Sequence, residues 1–468
     1  MPVRTSSARQ KKAPHYLLLR LVGDEGRLRR FLSRYPAEIQ GVSQKGETFS
    51  LRMILPDSAL EAARAAGLQY VFDTDLTKLG EEQVKQVGAG NVFDPALLSL
   101  GLTLPTQVDY LDCPAVAQAT IDLATAYGAC CDLIVLPNQT VEGATCHAIS
   151  ISKMAPAGAP AILILGGIHG REWGSCEIAL HFVERLLSTY QAPGNDLVLG
   201  NATFTAAQVK TLVETRQIIV FPMVNPDGRA YSQGGMDPAW RKNRNPAQQR
   251  AGDPRSIGVD INRNFDFLFK LADAFVPNCG LMVSADPSDH ETYQGPEPFS
   301  EAEAKNVEYL LDTNASINWL VDLHSSSQTV MCPWTVDQTQ TTVPQQSFLQ
   351  PGTNQTRGVA GDAYAEFMRK QDFDEHVRLR DILASGIVAA GGPQYALKTG
   401  FDFGACSGTS HDYAYARHLI SPDLPKVLGF VVEWGTLPYP DWVDMQKILV
   451  EVSAGLVNFS IATQHPLP

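Results

Sequence analysis

Apolar and polar positions along this chain fall into two textures. Between residues 15 and 73 they change over short runs. "HYLLLRLVG" alternates like a strand, and "DEGRLRRFLSRY" has helical spacing with Asp24 near its start. "AEIQGVSQ" and "ETFSLRMIL" read as strands joined at "KG". "PDSALEAARAAG" reads as a helix between Pro56-Asp57 and Gly67, and "LQYVFDT" as a closing strand. This β-α-β-β-α-β order predicts a small ferredoxin-like α+β unit.

From about residue 107 the runs become apolar on both faces: "CHAISIS", "AILILGG", "RQIIVFPMVN", "NWLVDLH", "TVMCPW" and "VLGFVVEWG". Helical patterns such as "SCEIALHFVERLL" and "SEAEAKNVEYLL" lie between them. Strands with two apolar faces need covering on both sides, so the expected fold is α/β: a mixed, mainly parallel twisted sheet flanked by helices. The expected division is a basic disordered tail at 1–14, the ferredoxin-like module at 15–73, a connecting segment at 74–106 and the large domain at 107–468.

Composition narrows the function classes. The 468 residues are 44% hydrophobic and carry a formal net charge of −13, which disfavours nucleic-acid or anionic-membrane partners. No apolar run is long enough to span a bilayer. The N-terminal "YLLL" is too short and broken for a secretory h-region, so a cytoplasmic location is the default expectation and an extracellular one the alternative. The eight cysteines form no C-x-x-C pair and read as buried thiols.

Sites in parallel sheets form where strands end, and polar residues collect there. "AILILGGI" runs into His169-Gly-Arg-Glu172, "NWLVDL" into His324, and "VLGFVV" into Glu433. Two histidines and one glutamate make a three-ligand set for a catalytic zinc, with a fourth position left for water. A further glutamate then serves as the base on that water. The tetrapeptide H-x-x-E is weak by itself, because His181-Phe-Val-Glu184 matches it within an apparent helix. What distinguishes His169 is its glycine-rich strand-to-helix loop.

Six ordered blocks raise the specificity: "NPDGRAYS", "WRKNRNP", "GVDINRNFD", "LHSSSQ", "GTSHDYAY" and "FVVEWG". Together they resemble the zinc metallocarboxypeptidases of the funnelin, or carboxypeptidase A/B, family (peptidase M14), over about residues 107–460. The resemblance implies one Zn2+ held by His169, Glu172 and His324, with Glu433 as general base. It implies Arg244 as the group polarising the scissile carbonyl, and Asn262 and Arg263 as a clamp for the substrate's terminal carboxylate. Arg171 and Arg241 match secondary substrate contacts, and His411 the residue that sets side-chain preference. A guanidinium suits the clamp because it forks onto a carboxylate through two hydrogen bonds.

Two positions depart from the family pattern. Gly404 stands where the family has a mobile substrate-covering tyrosine, with Tyr395 a weak substitute, and Ser326 replaces the tyrosine after "HS". The implied activity is zinc-dependent hydrolysis of the C-terminal peptide bond of peptides or proteins. The alternatives are an amidase on a non-protein amide, such as a peptidoglycan stem peptide, and a catalytically silent binding module. The N-terminal module resembles the family's pro-domain and is expected to dock on the catalytic domain.

Overall fold

The computed structural model describes residues 15–32, 34–35, 37, 39–90, 92–93 and 107–463. The tail assigned to 1–14 and the 94–106 part of the connecting segment lie outside the described residues. Four strands, β1 (Tyr16–Asp24), β2 (Ile39–Lys45), β3 (Thr48–Pro56) and β4 (Gln69–Asp75), form an antiparallel sheet in the order β2-β3-β1-β4. Helices α1 (Glu25–Leu32) and α2 (Leu60–Ala65) complete the β-α-β-β-α-β order. A further helix, α3 (Leu76–Gln83), follows β4, capped by the Asp75 carboxylate on the Lys78 amide. The short strand Val87–Gly88 then pairs with Tyr110–Leu111.

The large domain is built on eight strands. In chain order they are β5 (Cys131–Val135), β6 (His147–Ile151), β7 (Ala161–Gly166), β8 (Gln217–Phe221), β9 (Ile317–Ser325), β10 (Thr329–Cys332), β11 (Ala396–Thr399) and β12 (Leu428–Trp434). Their order across the sheet is β11-β10-β12-β9-β7-β8-β6-β5. The central pairs β12·β9, β9·β7 and β7·β8 are parallel, while β10·β12, β8·β6 and β6·β5 are antiparallel. Every residue of β7 is buried. A sheet centre covered on both faces accepts an unbroken apolar run such as "AILILG", each side chain contributing about 1.5–3 kcal/mol relative to exposure.

Helices flank this sheet. Those used below are α4 (Gly174–Gln191), α5 (Pro226–Gln233), α6 (Lys370–Ala389), α7 (Ser410–Ile420) and α8 (Trp442–Ala462). The parallel register levels three strand ends: Leu323 partners Gly166, and His324 partners Glu433.

The N-terminal module packs on these strand ends. Arg52 on β3 donates to the backbone oxygens of Ser326 (3.0 Å) and Thr436 (2.7 Å), just past β9 and β12. The Ser326 hydroxyl donates to Gln40 Oε1 at 3.3 Å. Leu17, Leu19 and Met53 share one apolar cluster with Met282, Met331, Phe403 and Val431 of the large domain. No helix among the described residues is long and apolar enough to cross a membrane.

Candidate metal centre

The loop from β7 into α4 holds the first two site residues. Gly170 crosses the α5 backbone so closely that a Cβ there would lie 2.5 Å from Gly228. The Asn225 side-chain amide donates to Ile168 O, and Gly170 N to Arg241 O, so both ends of the His169 segment are tied down. The backbone turns at once, with Glu172 N bonding His169 O, which brings the two side chains together.

His169 Nδ1 lies 2.8 Å from Glu172 Oε1, and His324 Nδ1 lies 3.2 Å from Glu172 Oε2. The two Nδ1 atoms are 3.0 Å apart. These three side chains form the one His/Cys/Asp/Glu group among the described residues able to hold a metal, and all are buried. The remote ring atoms face carboxylates: His169 Nε2 is 3.3 Å from Asp260 Oδ1, and His324 Nε2 is 3.1 Å from Asp322 Oδ2. Metal-ligating histidines commonly turn their second nitrogen to a carboxylate, which fixes tautomer and ring orientation.

A cation fits this donor set. Glu172, Asp260 and Asp322 are fully buried, and buried carboxylates require compensating positive charge. Burial raises the Glu172 carboxyl, but the His169 and His324 rings outweigh it and hold the group well below its usual range. Asp260 is likewise raised by burial and pulled down further by Arg241, Arg263 and His169. Two imidazole nitrogens and a carboxylate, all buried and convergent, form the N/O donor set that suits zinc.

The remaining site residues fall around this centre. Glu433 is half-buried, beside His324 in the parallel ladder, where neighbouring strands run about 4.8 Å apart. Asn262 Nδ2 lies 3.2 Å from His324 Nε2, and its Oδ1 accepts from the Ser410 amide. Arg263 donates through Nε to Met282 O and through Nη1 to Asn262 O. Arg241 grips Asp260 through Nε (3.0 Å) and Nη2 (2.9 Å), and its Nη1 lies 3.3 Å from His169 Nδ1.

Arg171 is fully buried and turned into an ion pair with Glu291 at 2.7 Å, with Ala239 O as a second acceptor. Arg244 stacks over Tyr231 (3.7 Å) and Trp240 (4.6 Å), and its nearest acid is Glu142 at 3.9 Å. Its Nε and Nη1 are buried without a hydrogen-bond partner. Both ring nitrogens of His411 also lack one, and burial lowers this imidazole to about 3, against the nearby Asp322 charge.

Gly404 has φ +124°, a backbone conformation that a tyrosine rarely adopts, and a Cβ there would lie 3.3 Å from Met282 Sδ. Tyr395 is buried, with its hydroxyl 3.3 Å from the Gly435 amide.

Sequence reasoning missed Asp260, Asp322 and the Arg52–Gln40 contacts. Asp322 was legible: two residues before His324 on a strand, it shares that residue's face. Asp260 stands inside the quoted "GVDINRNFD" block, two residues from Asn262.

The zinc carboxypeptidase family model matches residues 116–433, more than half of the chain, and the protein belongs to that family. Its cofactor is one Zn2+ ion, for which His169, Glu172 and His324 are the fitting donors. Carboxypeptidase A2 of Rattus norvegicus is 33% identical over 175 residues, 37% of this chain and 35% of the relative. The protein named inactive metallocarboxypeptidase ECM14 of Saccharomyces cerevisiae is 31% identical over 202 residues, 42% of this chain and 40% of the relative. The chain thus spans little more than a third of the length of these curated relatives. The crystal structure of carboxypeptidase A from Helicoverpa armigera superposes with a TM-score of 0.69 at 15% identity, covering 97% of this chain and 99% of that one. At that identity the likeness is one of fold.

Proposed function

We propose that the protein is a zinc-dependent metallocarboxypeptidase that hydrolyses the C-terminal peptide bond of peptides or proteins. The observation that carries this reading is the pairing of His324 with Glu433 across β9 and β12, which sets a carboxylate beside the convergent His169–Glu172–His324 donors. A zinc ion held there would supply a Lewis acid that polarises a carbonyl and acidifies water.

Glu433 takes the proton from the attacking water and returns it to the leaving amine. A positioned carboxylate in that role is worth about 10²–10⁴ in rate. Arg244, with two unpartnered nitrogens, Nε and Nη1, is the guanidinium open to charge developing on the carbonyl oxygen. Asn262, beside His324, and its neighbour Arg263 receive the substrate's free carboxylate. His411 lies in the wall that meets the terminal side chain.

The docked module narrows access to this centre, because Arg52 and Gln40 bond Ser326, two residues after His324. The experiment is therefore run on the zinc-loaded full chain, as wild type, Arg52→Ala and Arg52→Ala/Glu433→Gln. Blocked dipeptides with a free C-terminal carboxylate are the substrates. The expected result is hydrolysis by Arg52→Ala and a fall of about 10²–10⁴-fold on adding Glu433→Gln, at unchanged zinc content. Equal rates with and without Glu433 overturn the mechanism. A zinc-loaded Arg52→Ala protein that cuts nothing returns the silent binding module.

A further inference from the structure

On the flank of the sheet, at the end where His324 and Glu433 emerge, lies an open cleft of about 810 Å³. Its walls come from four places: Gly200–Asn201, Gln328 between β9 and β10, the turn after α6 (Ala390–Pro393), and the segment from Gly435 into α8. Gly435 and Thr436, two and three residues past Glu433, line its edge. Leu437, Pro440, Val443 and Ile448 supply apolar surface.

The unusual group in this cleft is Glu451, on α8. Its residue surface is 91% buried, the complement of the 9% that is accessible, yet none of the described residues hydrogen-bonds its carboxylate. The backbone is shaped around it: a Cβ at Gly392 would lie 2.5 Å from Glu451 Oε2 and 2.9 Å from its Cβ. The nearest cation, Lys447, is already paired with Asp444 at 2.7 Å. A largely buried acid that faces an open cleft without a partner has neither the cation that faces Glu291 nor the N–H and O–H donors that serve the buried Asp337 and Asp412.

We propose that the cleft is a binding subsite for an alkylammonium or guanidinium group, of the kind carried by a lysine or arginine side chain in a polypeptide. The apolar wall suits the methylene stem, and Glu451 the charged head. The rim already shows the chemistry: the Thr436 oxygen accepts from the Arg52 guanidinium at 2.7 Å. Burial raises Glu451 to about 7, so near neutrality a cation stabilises its ionised form.

The test reads binding alone and so does not depend on hydrolysis. N-acetyl-lysine methylamide, its uncharged norleucine counterpart and n-butylammonium are titrated into the full chain, with the amides of Gly391, Gly392 and Gly435 followed by NMR. The lysine probe is expected to shift all three amides and to bind at least tenfold tighter than the norleucine probe. Glu451→Gln is expected to weaken it at least tenfold while leaving the melting temperature within a few degrees. Asp374→Asn, at the start of α6 and paired with Lys370 outside the cleft, is the charge control and is expected to change affinity less than threefold.

Butylammonium binding as tightly as the lysine probe would identify a free amine as the occupant. Tighter binding of the lysine probe identifies a polypeptide side chain. Affinity is also expected to fall as pH drops below about 7. Asp441, Asp444 and Lys447 on the α8 side and Tyr395 on the facing segment are the other titratable groups there. Equal binding of the lysine and norleucine probes, no binding, or an unchanged affinity in Glu451→Gln overturns the proposal.

Discussion

His169–Glu172 and His181–Glu184 share one spacing, twelve residues apart, and have opposite fates. The first pair sits in a loop between β7 and α4, where the histidine and glutamate turn toward each other and meet His324. The second pair lies within α4. There His181 Nδ1 bonds Ser453 of α8 at 2.8 Å, burial lowers its ring to about 3, and burial raises Glu184. One pair is surrounded by charge that stabilises ionised groups, and the other by packed helix that favours neutral ones. The spacing places two side chains near each other; the third donor and the backing carboxylates make a metal centre.

The largest effect that sharpens this contrast is metal content. His169→Ala or Glu172→Gln is expected to lose stoichiometric zinc, whereas His181→Gln and Glu184→Gln retain it. Elemental analysis of dialysed protein measures this directly. Full zinc in His169→Ala, or zinc lost from His181→Gln, would mean that the two pairs were assigned the wrong way round.

Next in size is the backing of the first pair. Asp260 faces His169 Nε2 and is held by Arg241 from the other side. Replacing such an outer carboxylate typically costs 10–100-fold in metal affinity. Asp260→Asn is expected to weaken zinc by that factor in a competition titration against a chelator. An affinity within twofold of wild type would reduce Asp260 to a partner of Arg241 alone.

How far these features were legible before the fold was known follows from what each depends on. The central strands were readable because burial on both faces forces an unbroken apolar run, as in β7 and β12. The outer strands β5 and β11 escaped: "CDLIV" and "ALKT" are short, and β11 is half-exposed to exposed along its length, so their strand form comes from pairing and not from pattern. His324 and Glu433 announced themselves by ending apolar runs. Arg171 stands in the same motif as the metal donors, yet its side chain turns to Glu291, 120 positions away, a partner no local pattern could reveal. The packing of Arg52 on Ser326 and Thr436 is equally tertiary. Gly404 is the converse case: its departure from the family residue was plain, and its φ of +124° supplies the physical reason.

The smallest effect concerns the second pair alone. His181 is held neutral in the folded protein, with its ring lowered to about 3 from an unfolded value near 6.5. Between those limits the unfolded chain binds a proton that the folded chain does not. Stability is therefore fully present above about pH 6.5 and falls as pH drops toward 3. The expected slope from this one site is about 1.4 kcal/mol per pH unit. His181→Gln removes the titration while its amide can still meet Ser453. Urea unfolding of zinc-loaded protein at pH 7, 6 and 5 should show wild type losing more stability than the variant, by about half that amount from pH 7 to 6 and by about that amount from pH 6 to 5. Parallel pH profiles would mean that His181 takes up its proton without leaving the helix interface, and that burial in α4 discriminates between the two histidine pairs less sharply than their surroundings imply.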